Sequence, residues 1–186
     1  MAYYSEEEVL GLGLKYVGKN VKISKMACIY NTDQISLDDN SRIDDFCIIS
    51  GSVTIGKYVH VTPMCLIAGG KPGVTLHDFA TLAYGVKVFS QSDDYSGATM
   101  VNSLVPKQFK NEIFASVTIH RHCIVGTNSV IMPGVELAEG CSVGAMTLVN
   151  KSTAPWGIYL GTPARRVKER QKNLLELEQQ FLRLPK

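Results

Sequence analysis

The chain has 186 residues, 45% of them apolar and 19% charged, with a formal net charge of +2 at pH 7. That length and balance describe a globular domain with room for a real core, without the basic field that nucleic acid requires and without an apolar run long enough to span a membrane. The N-terminus, Met1 to Glu8, lacks the basic start and apolar stretch of a secretory signal, and the five cysteines are odd in number with no C-x-x-C spacing. A disulfide framework and a zinc site are therefore not indicated, and the expected location is cytoplasmic.

Ser5 and Glu8 stand at capping-box spacing, which predicts a short helix that Gly11 and Gly13 end. Residues 1–20 are expected to form a cap. From Leu37 onward a lattice of six governs the chain. Leu37, Ile43, Ile49, Ile55, Val61 and Ile67 follow one another at that step. Three extra residues intervene, and the step resumes at Leu76, Leu82 and Val88. After a longer break it returns at Ile113, Ile119, Val125, Ile131, Leu137, Val143 and Val149.

The residue four places after each aliphatic one is small or slender, as at Ser41, Cys47, Val53, Val59, Cys65, Ala80, Val86, Val117, Cys123, Ser129, Val135, Cys141 and Thr147. An amphipathic helix has a period of 3.6, and a β-sandwich places turns at wider and less regular intervals, so neither fits a fixed lattice of six. The pattern predicts an all-β fold, a left-handed parallel β-helix over residues 21–160. Three six-residue units make one triangular coil, and the aliphatic ladder fills the axis. Cys47, Cys65, Cys123 and Cys141 are then small buried apolar residues.

Two segments leave the lattice. The insert Gly69-Gly70-Lys71-Pro72-Gly73 reads as a turn. The stretch from residue 94 to 112 reads as a loop extruded from the coil, and a loop of this length in a compact domain is usually functional. A C-terminal tail, 161–186, is expected to carry a helix from about Pro163 to Leu182, with Leu174, Leu175, Leu177 and Phe181 on its apolar stripe. That helix would pack on a neighbouring subunit or on the coil flank.

The lattice, the long insert and the tail together resemble the hexapeptide-repeat acyltransferases over essentially the whole chain. The most specific segments are Val143-Gly144-Ala145-Met146-Thr147-Leu148-Val149-Asn150-Lys151, similar to a G-A-x-S-x-V-x-K stretch, and Gly161-Thr162-Pro163-Ala164-Arg165, similar to a G-x-P-A-[KR] tail. The resemblance implies a homotrimer that binds acetyl-CoA, or another acyl-CoA, between neighbouring coils, with no metal. It places Thr127, Ala145, Asn150, Lys151 and Lys168 along the CoA groove. Lys151, Arg165, Arg166 and Lys168 supply cations suited to its phosphates. The alternative for these basic residues is a solvated face.

Many members that acetylate sugar hydroxyls carry a histidine at the start of the long insert, because a hydroxyl needs a general base. This chain has Asp93 there, within Ser90-Gln91-Ser92-Asp93-Asp94-Tyr95-Ser96-Gly97. A carboxylate is a weak base but a good partner for an amine. The run resembles the branch that N-acylates nucleotide-linked amino sugars, of the dTDP-4-amino-4,6-dideoxy-D-glucose kind.

The resulting expectation is direct attack of a sugar amine on the thioester. Asp93 or Asp94 orients the amine, and Tyr84, Ser90, Ser92 and Tyr95 contact the sugar. A plain Asx turn at Asp93-Asp94 is the competing reading. His60 is expected at a coil corner, as a further catalytic or substrate residue, with His122 a lesser candidate for a base. His77, His120 and His122 itself are expected to face solvent or a neighbouring coil. Three rivals remain: a sugar O-acetyltransferase, a non-catalytic β-helix scaffold, and a zinc carbonic anhydrase of the same fold. The last needs three converging histidines, which the spacing of His120 and His122 does not supply.

Overall fold

The computed structural model describes residues 2–184; Met1 and residues 185–186, at the ends of the expected cap and tail, lie outside them. The chain winds into a left-handed β-helix with three faces. The first face stacks Tyr16–Val17, Ile35–Leu37, 53–55, 74–76, Val117–Ile119 and Glu136–Leu137. The second stacks Lys22–Ile23, Arg42–Ile43, His60–Val61, Thr81–Leu82, Ile124–Val125, Ser142–Val143 and Gly157–Leu160. The third stacks Cys28–Ile29, 48–50, 66–68, Lys87–Phe89, Val130–Ile131 and Leu148–Val149. Strands Ile48–Ile55 and Leu66–Leu76 bend around the corner between the third face and the first, joining those faces into one sheet of ten strands.

Register follows the lattice. Ile43 lies beside Val61, Val61 beside Leu82, and Val125 beside Val143. Of the predicted ladder, every residue but one is buried, and the four interior cysteines and their small neighbours are buried with it. Successive strand residues point to opposite sides, so the aliphatic residue and the small residue two places before it both face inward. Each fully buried Leu or Ile contributes about 1.5–3 kcal/mol relative to exposure.

The exception is Ile113, which is 55% exposed. It sits on Ile113–Phe114, which pairs antiparallel with Gln91–Ser92 outside the coil. The coil resumes only at Val117, so the extruded segment is longer at its root than the lattice predicted. The coil also begins earlier than expected. Val17 pairs with Leu37, Ile23 with Ile43 and Ile29 with Ile49, so the first strand of the coil, Tyr16–Val17, lies inside the expected cap. A 3₁₀ turn at Thr32–Gln34 adds the residues that hide this phase from a strict step of six.

Most corners are built at the residue three places after an aliphatic one, and there that residue is left-handed. Asn40, Phe46, Tyr58, Met64, Phe79, His122, Asn128 and Met146 all have φ between 56° and 66°. Left-handed backbone disfavours side chains of this bulk by roughly 1–2 kcal/mol each, and the closed triangle imposes it. Along one corner these side chains offset the strain by stacking. Tyr58 and Phe79 lie 5.1 Å apart, nearly parallel, and Phe79 and His122 lie 5.3 Å apart.

Helix α1, Glu6–Leu10, forms with the predicted capping box and buries Val9 at the open end of the coil. The tail departs from expectation. Arg165–Glu169 is a strand, antiparallel to Gly157–Leu160, and α2 spans only Leu174–Leu182. The hairpin extends the second face by one strand, which the helical stripe could not reveal. α2 then returns along the stacked corner of its own chain. Phe181 sets its edge against Tyr58, and Glu178 pairs with Arg121 and, at 2.9 Å, with His122. No helix among the described residues is long and apolar enough to cross a membrane.

Candidate active site

The outward side of the third face carries an apolar patch. Leu66, Ala68, Phe89, Val130 and Met132 form a floor, and the root of the extruded loop rises from it as a wall of Gln91, Ser92, Asp93, Tyr95 and Glu112. The cleft between them holds about 490 Å³. An apolar floor with a few polar groups on one wall is the usual form of a small-molecule site. The antiparallel ribbon at the loop root positions the wall, because it holds Ser92 opposite Ile113.

The two adjacent aspartates separate in role. Asp94 Oδ1 accepts from the Ser96 backbone N–H at 2.8 Å, and Oδ2 accepts from Thr99 Oγ1 at 2.7 Å. The hydrogen bonds from Ser96, then from Thr99, hold its carboxyl down at about 2. Asp94 thus closes the Asx turn that launches the loop. Asp93 lines the cleft, and its carboxylate has no hydrogen bond or ion pair within the described residues. Glu112, across the wall, is paired with Lys110 at 3.2 Å.

Ser90 is a correction to the expected substrate contacts. It is fully buried, and its hydroxyl donates to the Gly69 carbonyl at 2.5 Å and the Ala68 carbonyl at 3.0 Å. It locks the loop root to the coil below and cannot reach the cleft. Ser92 and Tyr95 do line it. Tyr84 stands exposed on the corner between the second and third faces, on the opposite border of the third face.

His60 is also corrected. It is in a strand on the second face rather than at a corner. Its Nε2 lies 2.8 Å from Asp44 Oδ2, while Arg42 Nε and the Tyr3 hydroxyl donate to Asp44 Oδ1 at 2.7 and 2.9 Å. Burial pushes the Asp44 carboxyl up, and the hydrogen bonds from Arg42, His60 and Tyr3 outweigh it, so the group ends below its ordinary value. This cluster fastens the N-terminal segment to the coil. His122 is buried against Glu178 and Trp156, away from the cleft. His77 and His120 stack 5.0 Å apart, and His120 reaches Glu136 at 2.6 Å. No group of three metal-ligating side chains converges among the described residues.

The expected acyl-carrier residues divide between two faces. Thr127 and Ala145 are neighbours on the corner between the second and third faces, linked by the Met146 N–H donating to the Thr127 carbonyl. The N–H groups of Thr127 and Ala145 themselves have no partner among the described residues, so they can serve an amide-bearing ligand. Asn150 and Lys151 follow the last strand of the third face, exposed. Arg165 and Lys168 lie on the terminal hairpin of the second face, where Arg166 is held by Glu169 at 2.5 Å.

Sequence reasoning missed Gln91, Glu112, Phe89 and Met132 as cleft residues. The signal available was their alternation: Phe89 is outward by parity with inward Val88, as Met132 is with Ile131.

A family model for bacterial transferase hexapeptide repeats matches residues 116–151. The chain is 40% identical, over 97% of its length and 95% of the other's, to an Escherichia coli dTDP-4-amino-4,6-dideoxy-D-glucose acyltransferase. It belongs to the hexapeptide-repeat acyltransferases. Among solved members, AntD, an N-acyltransferase from Bacillus cereus, in complex with dTDP and 3-hydroxybutyryl-CoA, is 44% identical over 98% of this chain and 97% of its own, with a TM-score of 0.96. A point variant of AntD in complex with dTDP-4-amino-4,6-dideoxyglucose and coenzyme A superposes with the same TM-score and identity, covering 97% of each chain. In this acyltransferase the fold, the loop and the tail all belong to one shared plan.

Proposed function

We propose that the protein is a CoA-dependent N-acyltransferase. Its acceptor is the amine of a dTDP-linked 4-amino-4,6-dideoxyhexose, its donor is acetyl-CoA or a close acyl-CoA, and its product serves surface polysaccharide synthesis. The observation that carries this reading is the Asp93 carboxylate, unpaired on the polar wall of an apolar cleft, where a hydroxyl-acylating site would need a base. Support for the substrates comes from the whole-length likeness to the E. coli enzyme and to AntD bound to dTDP sugar and CoA.

Asp93 accepts a hydrogen bond from the sugar amine and fixes its lone pair toward the thioester carbonyl. The C–N bond forms, the C–S bond breaks, and the proton lost by the amine passes to the departing thiolate. The free N–H groups of Thr127 and Ala145 suit the amides of the pantetheine arm, and Lys151, Arg165 and Lys168 remain exposed for phosphate. The working assembly is a homotrimer in the cytoplasm. Its axis lies along the corner where Phe46, Met64 and Met146 leave apolar side chains in solvent.

An acyl-transfer assay with acetyl-CoA against dTDP-linked 4-amino, 3-amino and non-amino sugars tests this directly. Turnover is expected with the 4-amino sugar. Asp93→Asn is expected to lower kcat/KM for it by about 10- to 100-fold, the loss of one charge-assisted contact to the reacting group, with CoA binding retained. Turnover confined to hydroxyl acceptors would sink the reading in favour of an O-acetyltransferase.

A further inference from the structure

The proposed reaction uses one carboxylate, but the root of the extruded loop brings two to the cleft. The ribbon there pairs Gln91 with Phe114 and Ser92 with Ile113, so the next step of its register sets Asp93 against Glu112. Side chains at opposite positions of antiparallel strands start about 5 Å apart, and both of these line the cleft. Two like charges so placed repel each other. Together they would also hold a bound amine as its ammonium, which cannot attack a thioester.

That second charge is answered from inside the loop. Lys110 is extended, at φ −119° and ψ 152°, which carries its side chain to the same side as Glu112, two residues on. Its ammonium lies 3.2 Å from Glu112 Oε2, and its side chain is only 6% exposed. No other ion pair or hydrogen bond engages that side chain among the described residues. The backbone around it is held by Met100, whose N–H donates to the Phe109 carbonyl at 2.9 Å and which bridges to Lys110. Burying an ammonium is costly unless its charge is matched, and a lysine that only closed the loop could do so from the surface. The rest of the cleft adds little charge. Its floor is apolar, and Tyr95 is the other titratable group on the wall. Asp94 is tied into its turn, and Lys87, on a floor strand, turns to the Gly85 carbonyl at 3.0 Å.

We propose that Lys110 is a positioning residue for acyl transfer, cancelling the charge of Glu112 so that Asp93 meets the acceptor amine as the wall's single uncompensated anion. The amine then has one carboxylate to orient it and is free to lose its proton near neutral pH. The inference rests on the amino-sugar reading.

The test is the pH dependence of kcat with dTDP-4-amino-4,6-dideoxyglucose and acetyl-CoA, for wild type, Lys110→Met, Lys110→Arg, Glu112→Gln and the double variant Lys110→Met/Glu112→Gln. The profile of kcat reports protonation within the bound complex. Lys110→Met leaves both carboxylates uncompensated, so the rising limb is expected about one pH unit higher, with kcat on that limb about tenfold lower. Lys110→Arg keeps the wild-type limb, and Glu112→Gln moves it to lower pH. The double variant restores the wall's charge without restoring the pair, and returns the limb to its wild-type position. A lysine that merely anchored the loop would lower kcat in Lys110→Met and in the double variant alike, with no movement of the limb. An unmoved limb in Lys110→Met, or a double variant no closer to wild type than Lys110→Met, overturns the inference. Should Lys110→Met not fold, an unmoved limb in Glu112→Gln overturns it equally. If wild type acylates hydroxyl acceptors alone, the amino-sugar reading and this inference fall together; if it acylates the 4-amino sugar and the limb stays, this inference falls alone.

Discussion

Asp44 shows how one buried charge can be structural in an enzyme of this kind. It is 1% exposed and satisfied by Arg42, His60 and Tyr3. Asp44→Asn leaves Arg42 and His60 without their anion and is expected to lower stability by about 3 kcal/mol, measured by urea denaturation at neutral pH. Because the folded carboxyl lies below its ordinary value, its contribution is complete above about pH 4 and is lost as pH falls through the lower, folded value. The denaturation midpoints of wild type and the Asp44→Asn variant should therefore converge on acidification. A gap that stays constant to low pH would contradict this. Asp93 and Asp94 make the complementary point. Identical and adjacent in sequence, they differ because one finds donors in its own turn and the other does not.

At the scale of elements, the extruded loop is not a simple excursion between two coil turns. Its base is an antiparallel ribbon, and that ribbon withdraws Ile113 from the aliphatic ladder. The contrast with Ile119, one lattice step on and fully buried, gives a direct test. Ile119→Ala should cost about 2–5 kcal/mol, the usual penalty for a buried aliphatic truncation. Ile113→Ala should fall within about 0.5 kcal/mol of wild type. Equal losses in thermal melts of the two variants would mean that Ile113 is a core residue after all. α2 has a comparable logic. A row of left-handed aromatic corners offers ring faces, and Phe181 supplies the edge that covers them.

For the whole molecule, the question is what covers the apolar corner. Phe46 and Met64 are 53% and 62% exposed in the single chain on successive turns of one corner, and Met146, 67% exposed, stands on the same corner beyond Gly85 and Asn128. Large exposed apolar side chains on one corner suit an interface, and the proposed trimer buries them about its axis. Met64→Glu places three like charges at that axis and is expected to shift the protein to monomer in sedimentation velocity, with loss of turnover and retained β-rich circular dichroism. A variant that sediments as wild type does would place the interface elsewhere.

The repeat was legible in the residues themselves, because a coil of three six-residue sides demands an inward aliphatic at every sixth position and a small residue two places before the next. That requirement is local and periodic, so Leu37 through Val149 declare the fold, and the place where the lattice lapses declares the loop. The capping box at Ser5 and Glu8 is local in the same sense. Tertiary structure alone decided what depends on contacts distant in sequence. Ser90 is spent on carbonyls two strands back, His60 is bound by Asp44, Arg165–Glu169 pairs as a strand, and α2 folds onto rings more than fifty residues behind it. Whether Asp93 or Asp94 faces the cleft turned on which carboxylate could reach Ser96 and Thr99, a matter of backbone path that residue type does not encode.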